Sequence, residues 1–482
     1  MLNSDLIAQF QQFRQSLYEL FDSYADTQMN LLDALSSNTS AQSVVELSLS
    51  FLFRRGYSAL FKAISQFFQP QKSETARAER QKFSQALAHL TSSLVPVPQN
   101  RPFLLLGLDS TPYARPYART LPEREYVYQP SPVPGIKPIT IGHQYSVLSA
   151  LLERDSPHAP IWTIPLSSQR VNVGETGPQV GARQVTALMT DPELPFGKSF
   201  CVQVEDSSYS TPTFLGQVLQ HQNLVTVVRV RRNRVFYQEP LLNNRQRRRG
   251  HPLWYGERFD LKDETTWPTP AQTIQTSLIT HRGKYLEVSL LSWPNLRMRG
   301  TRSYSMHEHP FTLIQVKMTD PNGQRVFAPM WLIVMGNRRH ELTVLDSWQS
   351  YRQRFDLEHF FRFGKQRLLM TAYQTPDEQN EENWVQLCLL AYAQLFAARK
   401  LSMHLPRSWE RYLPSALPAI TSPTTVQRDF ARIIGQTGTP ATAPKLRGKS
   451  PGRAKGHSVE RRQRYPVIKK GKIAISKTPK VA

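Results

Sequence analysis

Cysteine is nearly missing from this chain: Cys201 and Cys388 are the only two in 482 residues. Two thiols cannot build a four-cysteine zinc site, and both lie in apolar runs where a small buried hydrophobe is expected rather than a nucleophile. Such usage fits a reducing cytoplasm. Long apolar runs are missing too, since no stretch reaches the roughly 18 to 20 residues that a spanning helix needs. The N-terminal MLNSDLIAQFQQF has no basic region followed by an apolar core, so secretion is not expected. There is no internal repeat and no cradle motif for nucleotide phosphates. Acid is scarce: 37 Asp and Glu face 60 Lys and Arg, for a net charge of +23 and a pI near 10.1. That imbalance favours a polyanionic partner, with nucleic acid first, because neutralising phosphates releases condensed counterions.

Residues 351 to 365 read YRQRFDLEHFFRFGK and carry Tyr351, Arg354, Glu358 and Lys365 in the pattern Y-x2-R-x3-E-x6-K. At about 100° per helical residue, these four fall within roughly 60° of one another on one face of a predicted helix. Glu358 then projects from among a phenol and two cations. A hard carboxylate oxygen suits Mg²⁺, and the cations suit phosphate oxygens. An ordinary solvated helix, with Arg354 and Arg362 each four residues from Glu358, has the same pattern. Gly364 weakens the helical expectation near Lys365.

Two strand-like runs deliver further carboxylates. In RPFLLLGLDST the apolar residues Phe103 to Leu108 end at Asp109, and in KSFCVQVEDSSYST the alternating Phe200, Val202 and Val204 lead to Asp206. Singly, an Asp before Ser and Thr is often only a turn or cap residue. Glu205 beside Asp206 and Asp356 beside Glu358 compete as ligands, but strand alternation and helical rotation point both away.

Together these features resemble the DDE transposases of bacterial insertion sequences, in the branch with the YREK signature whose excision proceeds through DNA hairpins. The resemblance extends through GHQYSVLSALL (142–152), RGHPLWYGERF (249–259) and QLCLLAYAQLF (386–396), roughly residues 100 to 400. It implies an RNase H-like α/β core with the catalytic and metal-binding triad Asp109, Asp206 and Glu358. These would hold two Mg²⁺ ions, with Mn²⁺ able to substitute. Tyr351, Arg354 and Lys365 would orient the terminal phosphates of the transposon end. The implied partners are transposon-end and target DNA, bound by a homodimer in the bacterial cytoplasm at the nucleoid. The implied reaction is strand nicking, hairpin formation and opening, then strand transfer. Two alternatives share the basic charge: a nuclease of this fold without strand transfer, and a catalytically silent, domesticated DNA-binding protein.

Composition divides the chain. Residues 1–95 show 3- and 4-residue apolar spacing, as in Leu6, Ile7, Phe10, Phe13 and Leu17, and read as a helical domain that either packs or binds DNA ends. PVPQNRP ends it. The core's first part is expected at 100–231, a mainly β insertion at 232–345, and the core's second part at 346–405. Eight arginines lie between Arg229 and Arg249 against Glu239 alone; Arg247, Arg248 and Arg249, followed by Trp254 and Tyr255, are candidate DNA contacts, although a solvated loop has the same look. In the region 406–482, residues 445–482 hold thirteen Lys or Arg against Glu460. This tail is expected to be disordered in isolation. Arg461, Arg462, Arg464, Lys469 and Lys470 surround Tyr465, which favours a DNA-tracking arm over a solubilising extension.

Overall fold

Leu104 to Leu108 put apolar side chains on both faces of one strand, which is stable only where both sides of the sheet are covered. The computed structural model describes residues 2–68, 76–129, 137–154, 156, 159–240, 253–280, 283–404, 421–445, 452, 454–458 and 460–469, and it buries that strand at the centre. Four helices come first: α1 (Leu2–Glu19), α2 (Ala25–Ser36), α3 (Tyr57–Ser65) and α4 (Ala76–Ser92). Then follow β1 (Leu104–Ala114), β2 (Glu125–Tyr128), β3 (Ile139–Leu151) and β4 (Thr163–Arg170), and after them α5 (Gly177–Thr190), β5 (Cys201–Glu205), α6 (Pro212–Val218) and β6 (Leu224–Val230).

Strand order in this part of the sheet is β4-β3-β1-β5-β6, with β2 also on β3. β3 runs antiparallel to β1, whereas β5 is parallel to β1 and β6 parallel to β5. The two faces are separately covered. Gly181 of α5 sits against Leu108, and Gly107, which points the other way, sits against Leu357.

The region expected to be a β insertion supplies β7 (Val235–Tyr237), β8 (Arg258–Asp260), β9 (Gln272–Ile279), β10 (Tyr285–Leu296), β11 (Phe311–Thr319) and β12 (Met330–Met335). β12 pairs antiparallel with β6, and β11, β10 and β9 follow outward, so one ten-stranded sheet runs through both regions. β7 and β8 form a separate pair.

The chain then returns in α7 (Val344–Gln353), α8 (Phe355–Arg367), α9 (Glu378–Ala398), α10 (Leu401–His404) and α11 (Pro423–Thr437). From Trp384 onward α9 is apolar nearly all round and buried accordingly. Arg14 of α1 joins it to α2, donating to Asp33 Oδ2 at 2.9 Å and to Gln394 Oε1 at 3.0 Å. Among the described residues, no helix is long and apolar enough to cross a membrane.

One expectation needs correction. The YREK stretch is two helices rather than one, because the chain turns tightly at Arg354: its N–H bonds Tyr351 O at 3.1 Å and its carbonyl accepts from Leu357 at 3.0 Å, both three-residue steps. Gly364 does not interrupt α8, and a Cβ there would lie 2.9 Å from Met370 Cε. Part of the basic tail, expected to be disordered in isolation, lies against the body, with main-chain bonds at Tyr465 and Ile468. Ile468 forms a parallel bridge with Glu125, since the outer edge of β2 offers the ladder groups that an extended segment needs. Lys470 lies outside the described residues.

Candidate active site

The parallel ladder pairs Leu104 with Cys201 and Gly107 with Val204. Asp109 and Asp206, each two residues further on, therefore stand level on neighbouring strands and on one face. Asp109 is not at the end of its strand as expected: β1 runs on to Ala114 because β3 keeps pairing with it. Only the parallel ladder to β5 stops short of it.

α8 covers the same face. A Cβ on Gly107 would lie 3.0 Å from Leu357 Cδ1 and 2.9 Å from Leu151 Cδ1, so the absent side chain lets the helix approach. Glu358, next to Leu357, is thereby brought to the aspartates. Arg354 ties the group together, donating from Nη1 to Asp109 Oδ2 at 2.8 Å and from Nη2 to Glu358 Oε1 at 3.1 Å. Asp109 Oδ1 also accepts the Ser110 N–H at 2.8 Å. Asp206 is held by its own loop, its Oδ1 accepting the Ser208 N–H at 2.8 Å and the Ser208 hydroxyl at 2.6 Å.

Burial pushes the Asp109 carboxyl up to about 6; Arg354 opposes the rise, while Asp206 and Glu358 add to it. Burial alone would lower the Arg354 guanidinium, but Asp109, Tyr351, Glu358 and Asp206 together hold it above its ordinary range. Tyr351 is buried, which raises its pKa, and its ring centroid lies 6.0 Å from the Arg354 guanidinium carbon. Lys365 is half-buried, its pKa lowered by desolvation. It stands seven residues from Glu358, about 10 Å along one face of α8, and forms no ion pair among the described residues.

The competing acids point elsewhere. Asp356 turns into an ion pair with Arg154, and Glu205 is wholly buried beside Gln203, where desolvation raises it well above the carboxylate range. Trp254 stacks on His307 at 3.9 Å between ring centroids, and its carbonyl accepts from Arg297 at 3.3 Å. Arg461, Arg462, Arg464 and Lys469 lie exposed on the docked tail. Arg247, Arg248 and Arg249 lie outside the described residues.

Sequence reasoning passed over Arg229 as a site residue. The β5–β6 ladder pairs Glu205 with Val228, so Arg229 falls in the row of Asp109 and Asp206. It is exposed and acts on Tyr351. The signal was available in LVTVVRV, where the strand-end logic used for the aspartates places this arginine. Tyr209, whose hydroxyl lies 3.1 Å from Ser110 Oγ behind Asp109, had no such signal.

Among the described residues, no three His, Cys, Asp or Glu are gathered as a ready-made metal cage. The donor set at this site is three carboxylates with a guanidinium among them, and hard oxygens of that kind fit Mg²⁺. A cation already stands among them here, Arg354, paired with Asp109 and Glu358.

The family model described as DDE superfamily endonuclease matches residues 16–285, which include Asp109 and Asp206 but not Glu358. No curated relative matches the chain. With more than half of its 482 residues matched, the chain belongs to the DDE superfamily endonucleases.

Proposed function

We propose that this DDE endonuclease is the transposase of an insertion sequence, cutting DNA at the element's ends and joining them to target DNA through hairpin intermediates. The observation that carries the reading is the level placement of Asp109 and Asp206 on parallel strands, with Glu358 brought to the same face by α8. The order β4-β3-β1-β5-β6 with its parallel right half supports an RNase H-like core. In this reading residues 1–95 are a helical domain that binds DNA ends, and 232–345 are an insertion between the two parts of the core.

Asp109, Asp206 and Glu358 would hold divalent metal ions of the kind DDE nucleases use. Such ions supply a nucleophilic water or 3′-hydroxyl at neutral pH and stabilise the leaving oxygen. The remaining steps belong to the protein. Arg354 exchanges its bonds to Asp109 and Glu358 for bonds to phosphate oxygens, which a planar guanidinium engages in pairs. Tyr351, packed against it, limits where the guanidinium can go. Lys365 and Arg229 flank the carboxylates and hold the strand on either side of the reacting phosphate. The buried layer behind Asp109, where Tyr209 meets Ser110, keeps bulk water from that side.

The test has two arms. Supercoiled plasmid with Mg²⁺ should be nicked, and a labelled element end offered with target DNA should appear joined to it. Nicking without joined product would reduce the reading to a hydrolytic nuclease, and no nicking would remove the catalytic reading.

A further inference from the structure

At the outer edge of the sheet, away from the carboxylates, residues 465–468 of the basic tail are bonded to the body. Tyr465 N–H donates to Arg119 O at 2.9 Å and Ile468 N–H to Arg124 O at 2.8 Å. The buried Arg124 guanidinium acts as a pin: it donates to Leu121 O, Arg115 O and Pro116 O, each at 3.3 Å, and to Tyr465 O at 3.2 Å. Side chains on this edge are basic and aromatic. Arg461, Arg462 and Arg464 are exposed, with Glu460 the one acid in the docked segment. Tyr117 is 92% and Tyr128 68% exposed, far more than a packing role would leave. Tyr126, two residues from Tyr128 on the same face of β2, is also exposed.

We propose that the docked tail and the β2 edge form a fixed ridge for the backbone of duplex DNA flanking the cleaved bond. The inference rests on the DNA-cleaving reading above. Arginines engage phosphate oxygens in pairs and tyrosine hydroxyls donate to them, contacts that position a duplex without reading its sequence. Main-chain bonds at Tyr465 and Ile468 anchor the segment to the sheet edge next to these arginines, which limits how far their side chains can move relative to Asp109. One row of residues crosses the sheet from Ala114 through Gly142 and Glu125 to Ile468. Ala114 is five residues beyond Asp109, about 17 Å along the strand, and Ile468 is three strand spacings away, about 14 Å across. The Ile468 end of the ridge is thus on the order of 20 Å from the carboxylates, about six nucleotides of duplex.

Two variants of the full chain separate charge from docking. In R461Q/R462Q/R464Q the slope of log K against log salt should shrink by about 2.7. Ile468→Pro removes the N–H that bonds Arg124 O and keeps every charge; it should shrink the slope comparably and leave the melting temperature unchanged. Ethylation of phosphates about five to seven nucleotides from the cleaved bond should interfere with binding of the wild type and not of either variant. An unchanged slope in both variants overturns the ridge. So does loss in the glutamine variant alone, which would make the tail a free arm, or loss in the proline variant alone, which would deny the arginines a role. Plasmid nicking by the wild type, run alongside, tests the underlying reading separately: nicking with unaltered slopes rejects only the ridge.

Discussion

Arg354 reaches Asp109 across 245 residues of sequence and donates to its Oδ2 at 2.8 Å. The same guanidinium holds Glu358, so two carboxylates proposed to bind metal share one cation supplied by the protein itself. Metal and arginine then compete. In the absence of DNA, Arg354→Gln should bind Mn²⁺ more tightly than the wild type, by on the order of tenfold if removing the cation is worth about 1.4 kcal/mol. Isothermal titration measures this without any turnover. Equal affinities would show that the guanidinium does not obstruct the site.

Asp109→Ala, Asp206→Ala and Glu358→Ala should each abolish Mg²⁺-dependent nicking while leaving duplex binding in a mobility-shift assay largely intact. Glu205→Gln and Asp356→Asn are the controls, because the first is buried away from Asp206 and the second faces Arg154. Both should cut DNA. A fully active Glu358→Ala would dissociate α8 from the chemistry and leave the level pair of aspartates without its third member.

The aspartates were legible in the sequence because each follows directly on a short apolar β-patterned run, and two adjacent parallel strands then need only matching register to bring them level. Their register was not legible, since ladder pairing depends on atoms roughly a hundred residues apart. The break at Arg354 was hidden for a related reason. The helical spacing of Tyr351, Arg354, Glu358 and Lys365 survives a local tightening of the backbone, so the pattern looks the same with or without it. Tail docking was invisible in composition: the bonds that hold Tyr465 and Ile468 are made by main-chain N–H groups, which every residue but proline carries.

Gly107 is where packing would control the proposed chemistry. Valine there would place its Cβ about 3 Å from Leu357 and Leu151, forcing α8 outward. Overpacking of this sort costs about 1 to 3 kcal/mol, which thermal unfolding would register. Cleavage should fall much further than stability, because a shift of about 1 Å at Glu358 can cost roughly 100-fold in rate. Activity lost only in proportion to folded protein would show that the glycine serves the core alone.

A second buried cluster supports the far end of β1. Glu381 on α9 accepts from Arg115 Nε at 2.9 Å and from the Tyr145 hydroxyl at 3.0 Å, and lies 2.7 Å from His143 Nδ1. Burial alone would raise its pKa, but His143 and Arg115 outweigh burial and the pKa is lowered. A depressed carboxylate contributes stability that is present above its unfolded pKa and is lost as pH falls through the folded one. Glu381→Ala should therefore destabilise at neutral pH by about 3 to 5 kcal/mol, since it leaves Arg115 buried and unpaired, and the difference from wild type should narrow in acid. Chemical denaturation at several pH values would show this, and a constant difference across them would deny the ion pair its role.

Arg354 and Lys365 are where a hairpin-forming transposase and a simple nuclease diverge. The first nick acts on nearly regular duplex, with metal to stabilise developing charge. Hairpin formation instead requires a sharply bent strand whose phosphates repel one another, and the protein must hold that phosphate in place. In the proposed reaction Arg354 would leave its carboxylates to do so, and Lys365, half-buried and without an ion pair among the described residues, stands two turns beyond Glu358 along the same face of α8. Arg354→Ala and Lys365→Ala should thus slow hairpin formation and strand transfer by roughly 100-fold while nicking falls far less. On a denaturing gel of a labelled element end, nicked strand would accumulate without hairpin. Equal loss at every step would assign both residues to general DNA binding, and wild-type behaviour would show that their spacing along the chain has no bearing on the reaction.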